Sequence, residues 1–251
     1  MIEFRTQLAL KDYDCVSLAE MLRAHFVRFY PVADTERLND AIQVASYLHR
    51  FDVRRGNRAN LPNPPYIEHP LRVALRINRY FAAGDPNLVI AAILHDTVED
   101  HPMEFADFEG VAAVTTWGSA RQNALTFISK HFGYSVASIV ELVSNPILPV
   151  GTSKEDKVAA YHRHVKALVD ISEAALILKF SDFVDNAGSL HHHYEYNDPK
   201  AKYFIDRYSP LLEVYQEAFK ARPLDDFNRS AIVNRLEDVA EQFRNFRAYL
   251  G

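Results

Sequence analysis

The segment Ala91–Asp100 is an apolar run that ends in four ionisable side chains, His95, Asp96, Glu99 and Asp100. Residues four positions apart lie on one face of a helix, so His95 pairs with Glu99 and Asp96 pairs with Asp100. Carboxylates are disfavoured near a helix C-terminus and are costly to bury, and a bound cation relieves both effects. The segment therefore predicts a metal site. The alternative for the His-Asp pair taken alone is a capped, solvated helix end.

Two residues elsewhere in the sequence extend this candidate metal site. His69 directly precedes Pro70, and a proline there favours the start of a helix and leaves the imidazole free to turn inward. Asp182 follows the apolar run 174–178 by about one helical turn. With the pair at 95–96 they give two imidazoles and two carboxylates, which suit Mn²⁺, with Fe²⁺ or Zn²⁺ as alternatives. His69 taken alone is equally consistent with an ordinary core or surface histidine.

Helical periodicity dominates the rest of the chain, and no convincing alternating strand appears. Asp85-Pro86 and Asp198-Pro199 each place a capping carboxylate before a proline in the first helical position, and Ser153–Asp156 resembles a weaker capping box. Residues 52–65 and 101–118 are predicted loops, the second with room for a short helix. The sequence predicts an all-α single domain over 1–251, with helices at about 15–30, 35–50, 69–82, 86–99, 119–131, 134–144, 153–169, 172–190, 198–221 and 227–249.

Composition and charge exclude several classes of protein. The 251 residues carry 28 Lys and Arg against 33 Asp and Glu, and the net charge of −5 argues against a duplex nucleic-acid partner while allowing a small anionic ligand. The single cysteine, Cys15, cannot form an intrachain disulfide and is typical of a reducing compartment. With no signal peptide and no membrane-spanning run, we expect a cytoplasmic protein without a membrane partner. The amphipathic segment 227–249 is interpreted as a solvated face or as the contact of a homo-oligomer.

Six motifs occur in a fixed order between about residues 40 and 220. They are His49 with Arg54-Arg55-Gly56, Pro65-Tyr-Ile-Glu-His-Pro70, Leu94-His-Asp-Thr-Val-Glu-Asp100, Phe132-Gly-Tyr-Ser-Val-Ala137 with Val143-Ser144, Lys179-Phe-Ser-Asp182 through Asn186 and Ser189-Leu190, and Tyr208-Ser-Pro-Leu211. This series resembles the HD-domain hydrolases of RelA/SpoT-type alarmone enzymes, which remove the 3′-pyrophosphate from (p)ppGpp. The order of several motifs is far more specific than any one of them.

The resemblance implies a helical HD-domain fold, a nucleotide substrate and a role for each matching residue. It implies the metal ligands His69, His95, Asp96 and Asp182, and the acidic pair Glu99 and Asp100 beside the attacking water. It further implies that Asn186 and Ser189 hold the ribose, that Arg54 and Arg55 contact the guanine or the phosphates, and that Lys154, Lys157 and Arg163 supply further cations to the phosphates. Tyr208 is a predicted substrate contact that stacks on a base or bonds to a phosphate.

The sequence departs from the family pattern at several positions. Phe183 replaces the usual arginine after the last ligand, Asp185 replaces a histidine and is expected near the sugar, and His101 replaces a threonine. The loops at 56–65 and 101–118 are longer than usual. The expected substrate is therefore a purine alarmone, (p)ppGpp or (p)ppApp, and the alternatives are another HD-fold nucleotide phosphohydrolase (an NADPH phosphatase, nucleotidase or dNTPase) or a non-catalytic alarmone-binding module. The chain length predicts a stand-alone small alarmone hydrolase.

Overall fold

The computed structural model describes residues 9–54, 63–81, 84–110 and 116–250, except for the side chain of Tyr80. In these ranges the regular structure is helical, apart from one isolated antiparallel bridge between Val53 and Pro65. The prediction of an all-α fold is therefore confirmed. None of the described helices combines the length and the apolar character that crossing a membrane requires.

Thirteen α-helices follow one another in the described ranges, with 3₁₀ turns at Leu10–Asp12 and Leu190–His192. The caps predicted from the sequence are present, since the side chains of Asp85, Ser153 and Asp198 each accept a hydrogen bond from a backbone N–H in the first turn. The helices are α1 (Cys15–Phe29), α2 (Val32–Leu48), α3 (Glu68–Phe81), α4 (Pro86–Leu94), α5 (Thr97–Asp100), α6 (Ala106–Glu109), α7 (Trp117–Phe132), α8 (Tyr134–Val143), α9 (Lys154–Ile171), α10 (Glu173–Ala187), α11 (Pro199–Tyr208), α12 (Leu211–Lys220) and α13 (Asp226–Leu250).

The continuous helix predicted over 86–99 was wrong, because the structure divides it into α4 and α5. At the end of α4, side chains rather than backbone N–H groups donate hydrogen bonds to the backbone carbonyls. His95 Nδ1 lies 2.8 Å from the carbonyl oxygen of Ala92, and Thr97 Oγ1 donates to the carbonyl oxygen of Leu94 at 2.7 Å. The interruption turns the His-Asp pair out of the regular helix and toward its neighbours.

The helix predicted over 198–221 is also divided, at Pro210, which has no N–H to continue the hydrogen-bond ladder. The helix predicted over 172–190 stops before Gly188. A Cβ at Gly188 would lie 2.6 Å from the backbone oxygen of Val184, so the chain turns at a point where only glycine fits. These breaks separate α10 from the C-terminal helices.

Helix α4 lies in the centre of the buried core. Its residues 88–94 are all buried, as expected for a helix that is apolar on every face. Helix α3 packs on both α4 and α10, while α2 and α8 cover other faces of α4. The polar residues that follow α4 therefore emerge between α3 and α10.

Candidate metal centre and adjoining cavity

The four predicted metal ligands converge at one point. His69 lies in the first turn of α3, His95 and Asp96 form the turn after α4, and Asp182 lies in α10. His69 Nε2 is 3.4 Å from Asp96 Oδ2 and 3.2 Å from Asp182 Oδ1, and His95 Nε2 is 3.1 Å from Asp96 Oδ1. Three separate parts of the chain thus bring two imidazoles and two carboxylates together, as a site for a single ion requires.

The hydrogen bonds of both imidazoles leave their Nε2 atoms available to a cation. His69 Nδ1 donates to Asp185 Oδ2 at 2.7 Å, and His95 Nδ1 donates to the carbonyl oxygen of Ala92 at 2.8 Å. In the neutral form with the proton on Nδ1, each ring would leave the lone pair of Nε2 free for a cation, and among the described residues the buried His95 Nε2 makes no hydrogen bond. Against the effect of burial, the carboxylates of Asp96 and Asp182 raise the pKa of His95 well above its ordinary value, so the same position attracts positive charge. This donor set fits a divalent cation, and an acceptor behind Nδ1 is typical of metal-binding histidines.

The pKa values of the two ligand carboxyls are lowered because neighbouring positive groups stabilise the ionised carboxylates. Burial opposes the ionisation of both groups. Nevertheless, His95 and His69 hold the pKa of Asp96 well below its ordinary value. Lys179, whose Nζ lies 3.2 Å from Asp182 Oδ2, does the same for the pKa of Asp182. Both groups are therefore carboxylates at neutral pH and are available as anionic ligands.

Lys179 is a site residue that the sequence analysis did not identify. It lies one turn before Asp182 and is buried, with its ammonium 5.7 Å from the ring centroid of Tyr161. On the next turn, Asn186 Nδ2 donates to Asp182 Oδ1 at 2.5 Å, and Asn186 Oδ1 accepts a hydrogen bond from Arg54. The spacing of 179, 182 and 186 on one face of α10 was the signal in the sequence.

The two predicted acidic residues follow the ligands in α5. Glu99 Oε1 accepts from the backbone N–H of Asn145 at 2.8 Å, and Glu99 Oε2 accepts from Asn145 Nδ2 at 2.8 Å. Asp100 keeps contact with solvent, yet the surrounding protein and the charges of Asp96 and Glu99 raise its pKa to about 7. Glu99 is thus held in position, and Asp100 titrates in the range that suits proton transfer near neutral pH.

Asp185 is a fully buried carboxylate behind His69. Its Oδ2 atom accepts from His69 Nδ1, and its Oδ1 atom accepts from Arg72 Nε at 2.9 Å and from Arg76 at 2.5 Å. These cations hold the pKa of Asp185 well below its ordinary value against the effect of burial. The carboxylate faces α3, and its Oδ2 atom also lies 3.6 Å from Arg54 Nη1, so the expectation that Asp185 lies near the sugar stays a prediction. The sequence signal for this buried carboxylate was the pair Arg72 and Arg76, which lie four residues apart on one face of α3.

Three of the predicted substrate contacts line one small cavity of about 140 Å³. They are Arg54, Asn186 and Tyr208, and the aromatic rings of Tyr194 and Phe204 complete the wall. Burial raises the pKa of the Tyr208 hydroxyl above its ordinary value, so Tyr208 stays a hydrogen-bond donor at neutral pH. A guanidinium, an amide and several aromatic faces are the groups that recognise phosphates and purine bases.

The other predicted substrate contacts lie elsewhere. Ser189 donates its hydroxyl to the backbone oxygen of Asp185 and lines a different cavity. Lys154, Lys157 and Arg163 are exposed on α9, and in the described part of the chain they have no ion-pair contact with the candidate site. The predicted contact Arg55 lies outside the described residues.

His101 belongs to a hydrogen-bonded cluster at the edge of the site. Its Nε2 atom lies 2.6 Å from Asp52 Oδ2, and its Nδ1 atom lies 3.3 Å from Glu104 Oε1. The same Asp52 oxygen lies 2.8 Å from Nδ1 of His49, whose ring stacks on Tyr66. Tyr66 in turn donates to Asp96 Oδ2 at 2.7 Å, so the cluster is linked to the candidate metal centre.

His101→Gln should remove a pH-dependent part of the protein's stability. Partial burial opposes protonation of His101, but hydrogen bonds to Asp52 and Glu104 outweigh it and raise the pKa of the imidazole. Because the folded state binds this proton more tightly, its contribution to the free energy of unfolding is complete below the ordinary imidazole pKa of about 6.5 and is lost as the pH rises through the folded value.

Urea unfolding of wild type and His101→Gln over a pH series measures this contribution. The difference between their free energies of unfolding should shrink as the pH rises. The exposed His131→Gln serves as the matched control. A difference that is independent of pH would contradict the expected role of His101.

Comparison with known proteins connects this site to a family. Residues 66–187 match the HD domain family model. The chain is 29% identical to a guanosine-3′,5′-bis(diphosphate) 3′-pyrophosphohydrolase of Aquifex aeolicus over 199 residues, or 78% of this chain and 24% of the relative. It is 28% identical to the bifunctional (p)ppGpp synthase/hydrolase SpoT of Escherichia coli K12 over 174 residues, or 69% of this chain and 21% of the relative. The chain thus spans about a quarter of the length of these curated relatives.

A solved structure shares the fold. It is described as a metazoan ortholog of SpoT that hydrolyzes ppGpp, and it aligns with a TM-score of 0.58 at 18% identity, covering 85% of this chain and 97% of that one. The residues of the candidate metal centre, from His69 to Asp182, all lie within the matched segment 66–187. The segment that holds the candidate metal centre is therefore similar to HD domains, and 69–78% of the chain aligns with (p)ppGpp pyrophosphohydrolases at 28–29% identity.

Proposed function

We propose that this protein is a metal-dependent hydrolase that removes the 3′-pyrophosphate from a purine alarmone, (p)ppGpp or (p)ppApp. The observation that carries the proposal is the geometry of the centre. Two imidazole Nε2 atoms face two carboxylates. In the adjoining cavity, Arg54 donates a hydrogen bond to Asn186, which in turn donates to the ligand Asp182. Hydrolysis of a nucleotide polyphosphate needs both the metal centre, which acts on the reacting phosphorus, and the cavity, which binds the nucleoside.

His69, His95, Asp96 and Asp182 would hold the cation. We propose Mn²⁺, with Fe²⁺ or Zn²⁺ as alternatives, because two nitrogen and two oxygen ligands with open positions suit these ions. When bound, such an ion lowers the pKa of a water molecule and neutralises charge that develops on the phosphoryl group.

The acidic pair would move the proton of the attacking water. Asn145 fixes the Glu99 carboxylate with two hydrogen bonds, so Glu99 keeps its orientation as charge shifts in the site. Asp100, whose pKa is raised to about 7, can exchange a proton with solvent. We assign Glu99 as the base and Asp100 as the group that relays the proton outward.

The cavity beside the centre would bind one end of the nucleotide, because its volume of about 140 Å³ is smaller than the roughly 300 Å³ or more that encloses a whole small molecule. Among the described residues, the buried Arg54 Nη1 makes no hydrogen bond and lies 3.6 Å from Asp185 Oδ2. The hydrogen bond from Arg54 to Asn186 aligns both side chains along the cavity. Tyr208, Tyr194 and Phe204 offer aromatic faces to a purine. Ser189 remains a proposed ribose contact, and Arg55, Lys154, Lys157 and Arg163 remain proposed phosphate contacts, although the last three would approach the substrate from the exposed face of α9.

Removal and return of the metal tests the proposed function. Protein that has been stripped with a chelator should bind about one Mn²⁺ per chain and should hydrolyse ppGpp or ppApp only after it is reloaded. Fe²⁺ and Zn²⁺ are reloaded in parallel to rank the ions. Full hydrolysis by metal-free protein would overturn the proposal, as would the absence of metal binding.

Glu99→Gln should lower kcat by about a hundredfold to ten-thousandfold, because the amide cannot accept the proton of the attacking water. The metal content should stay that of wild type, since Glu99 is not among the four converging ligands. Steady-state kinetics together with metal analysis measures both quantities. Glu141→Gln, on the exposed face of α8, is the matched control. A wild-type kcat in metal-loaded Glu99→Gln would contradict the assignment of Glu99 as the base.

A further inference from the structure

Tyr66 is a partly buried residue between the candidate metal centre and the guanidinium of Arg54. Its backbone N–H donates to the carbonyl oxygen of Asp52 at 3.0 Å, which anchors the residue to the turn that follows α2. Its own carbonyl oxygen accepts from the backbone N–H of His69 at 2.8 Å, so Tyr66 and the candidate ligand His69 belong to one turn. The same short segment thus positions both side chains.

The ring of Tyr66 is held by neighbours on several sides. The ring of His49 stacks on it with 4.4 Å between the centroids, and the ring of His69 meets it edge to face at 5.7 Å. The guanidinium carbon of Arg54 lies 5.4 Å from its centroid, within the distance of a cation–π contact. His49 is fixed in turn, because its Nδ1 atom lies 2.8 Å from Asp52 Oδ2. These contacts restrict the ring and so fix the direction of its hydroxyl.

The hydroxyl of Tyr66 donates to Asp96 Oδ2 at 2.7 Å. A phenol with an ordinary pKa of about 10 keeps its proton at neutral pH and remains a donor. In the described part of the chain, the other hydrogen-bond and ion-pair contacts of this carboxylate are with Nε2 of His69 and Nε2 of His95. Neither nitrogen can donate while it binds a cation, which leaves Tyr66 as the donor to Asp96 in a metal-loaded centre.

Asp96 needs an external donor because its local backbone does not orient its carboxylate. The residue is the N-cap of α5, yet its side chain makes no capping hydrogen bond. The terminal torsion of an aspartate is broad, so an unsupported carboxylate samples many orientations. Hydrogen bonds to a ligating carboxylate from outside the ligand set are what hold it toward a metal ion.

We propose that Tyr66 is the positioning residue of Asp96, with its hydroxyl holding Oδ2 and thereby setting the orientation in which the carboxylate binds the cation. Tyr66 acts through Asp96, in the way that Asp185 acts through His69. The inference rests on the proposed function, since it takes the four converging side chains as the ligands.

Titration with Mn²⁺ tests this role, because free Mn²⁺ gives a six-line EPR signal whose amplitude measures the unbound ion. Tyr66→Phe removes the hydroxyl and keeps the ring that packs on His49. Tyr215→Phe is the matched control, since Tyr215 is buried and its hydroxyl donates to the backbone oxygen of Lys179 at 3.1 Å instead of to a ligand side chain. Thermal unfolding of the metal-free proteins measures the structural cost of each change.

We expect Tyr66→Phe to weaken Mn²⁺ binding by about ten- to a hundredfold and Tyr215→Phe to leave it unchanged. Both variants lose one hydrogen bond, so both should lower the Tm of the metal-free protein by about 2–4 °C. A merely structural role for Tyr66 would lower Tm without weakening Mn²⁺ binding. Wild-type Mn²⁺ affinity in Tyr66→Phe, or an equal loss of affinity in both variants, would overturn the inference.

The same titration separates this inference from the proposed function. Should wild type bind no Mn²⁺, or should Asp96→Asn bind it as tightly as wild type, the proposed metal centre would be wrong and the role of Tyr66 with it. Binding that depends on Asp96 but not on the Tyr66 hydroxyl would overturn the role of Tyr66 alone.

Discussion

Asp96→Asn is expected to abolish metal binding and to lower turnover by more than about a thousandfold. The carboxylate faces both imidazoles, with Oδ2 3.4 Å from His69 Nε2 and Oδ1 3.1 Å from His95 Nε2. The neutral amide keeps the volume but removes the anionic ligand. Loss of the ion removes several kcal/mol of transition-state stabilisation, and each 1.36 kcal/mol is about a factor of ten in rate.

Metal analysis and hydrolysis assays on Asp96→Asn test this expectation directly. Asp170→Asn, an exposed position on α9, controls for the substitution itself. Circular dichroism establishes that the variant keeps its helices. A folded Asp96→Asn with a full metal complement and wild-type turnover would show that the ion is not held where we propose.

Asp185→Ala is expected to lower the free energy of unfolding by about 3–5 kcal/mol, because it leaves buried cations without their carboxylate. Arg72 and Arg76 both donate to Asp185, and both are buried. The same change leaves His69 Nδ1 without an acceptor, so metal affinity should fall by about ten- to a hundredfold. Asp185 is thus a positioning residue for His69.

Urea unfolding and Mn²⁺ titration measure the two effects of Asp185→Ala separately. Asp185→Asn keeps an oxygen that can accept from His69, so it should restore most of the metal affinity while it remains destabilised. Should Asp185→Ala match wild type in both measurements, the buried network around Asp185 would have no role in positioning His69.

The sequence allowed the candidate metal centre to be predicted because its ligands lie in local motifs. His95 and Asp96 end an apolar helix, His69 precedes a proline, and Asp182 follows a buried run. Each of these signals depends only on near neighbours in the chain. The all-α class was predictable for the same reason, since helical periodicity and N-terminal caps are local features.

The residues behind the ligands were not predictable because their partners are distant in sequence. Asp185 pairs with Arg72, 113 positions away, and only the packing of α3 on α10 brings them together. Phe183, which departs from the family pattern after the last ligand, packs in the core with its ring centroid 4.9 Å from that of Tyr215. Which face of a helix meets which neighbour is a tertiary property that the motif order does not contain.

The break between α4 and α5 shows a further limit of local reasoning. Periodicity favours a continuous helix through His95, yet side chains replace the backbone hydrogen bonds at the end of α4. Reading the segment as one helix placed Asp96 and Asp100 on a single stripe. The turn instead directs Asp96 at His69 and leaves Asp100 in contact with solvent.

The most direct test of the account is to identify the products by ³¹P NMR after Mn²⁺-loaded protein acts on ppGpp, ppApp, dNTPs and NADPH. We predict inorganic pyrophosphate and a nucleoside 5′-diphosphate from ppGpp or ppApp, and no such release by Asp96→Asn. Orthophosphate from NADPH, or triphosphate from dNTPs, with the alarmones left intact would contradict the assignment of a 3′-pyrophosphohydrolase. No turnover of any of these nucleotides would contradict it as well.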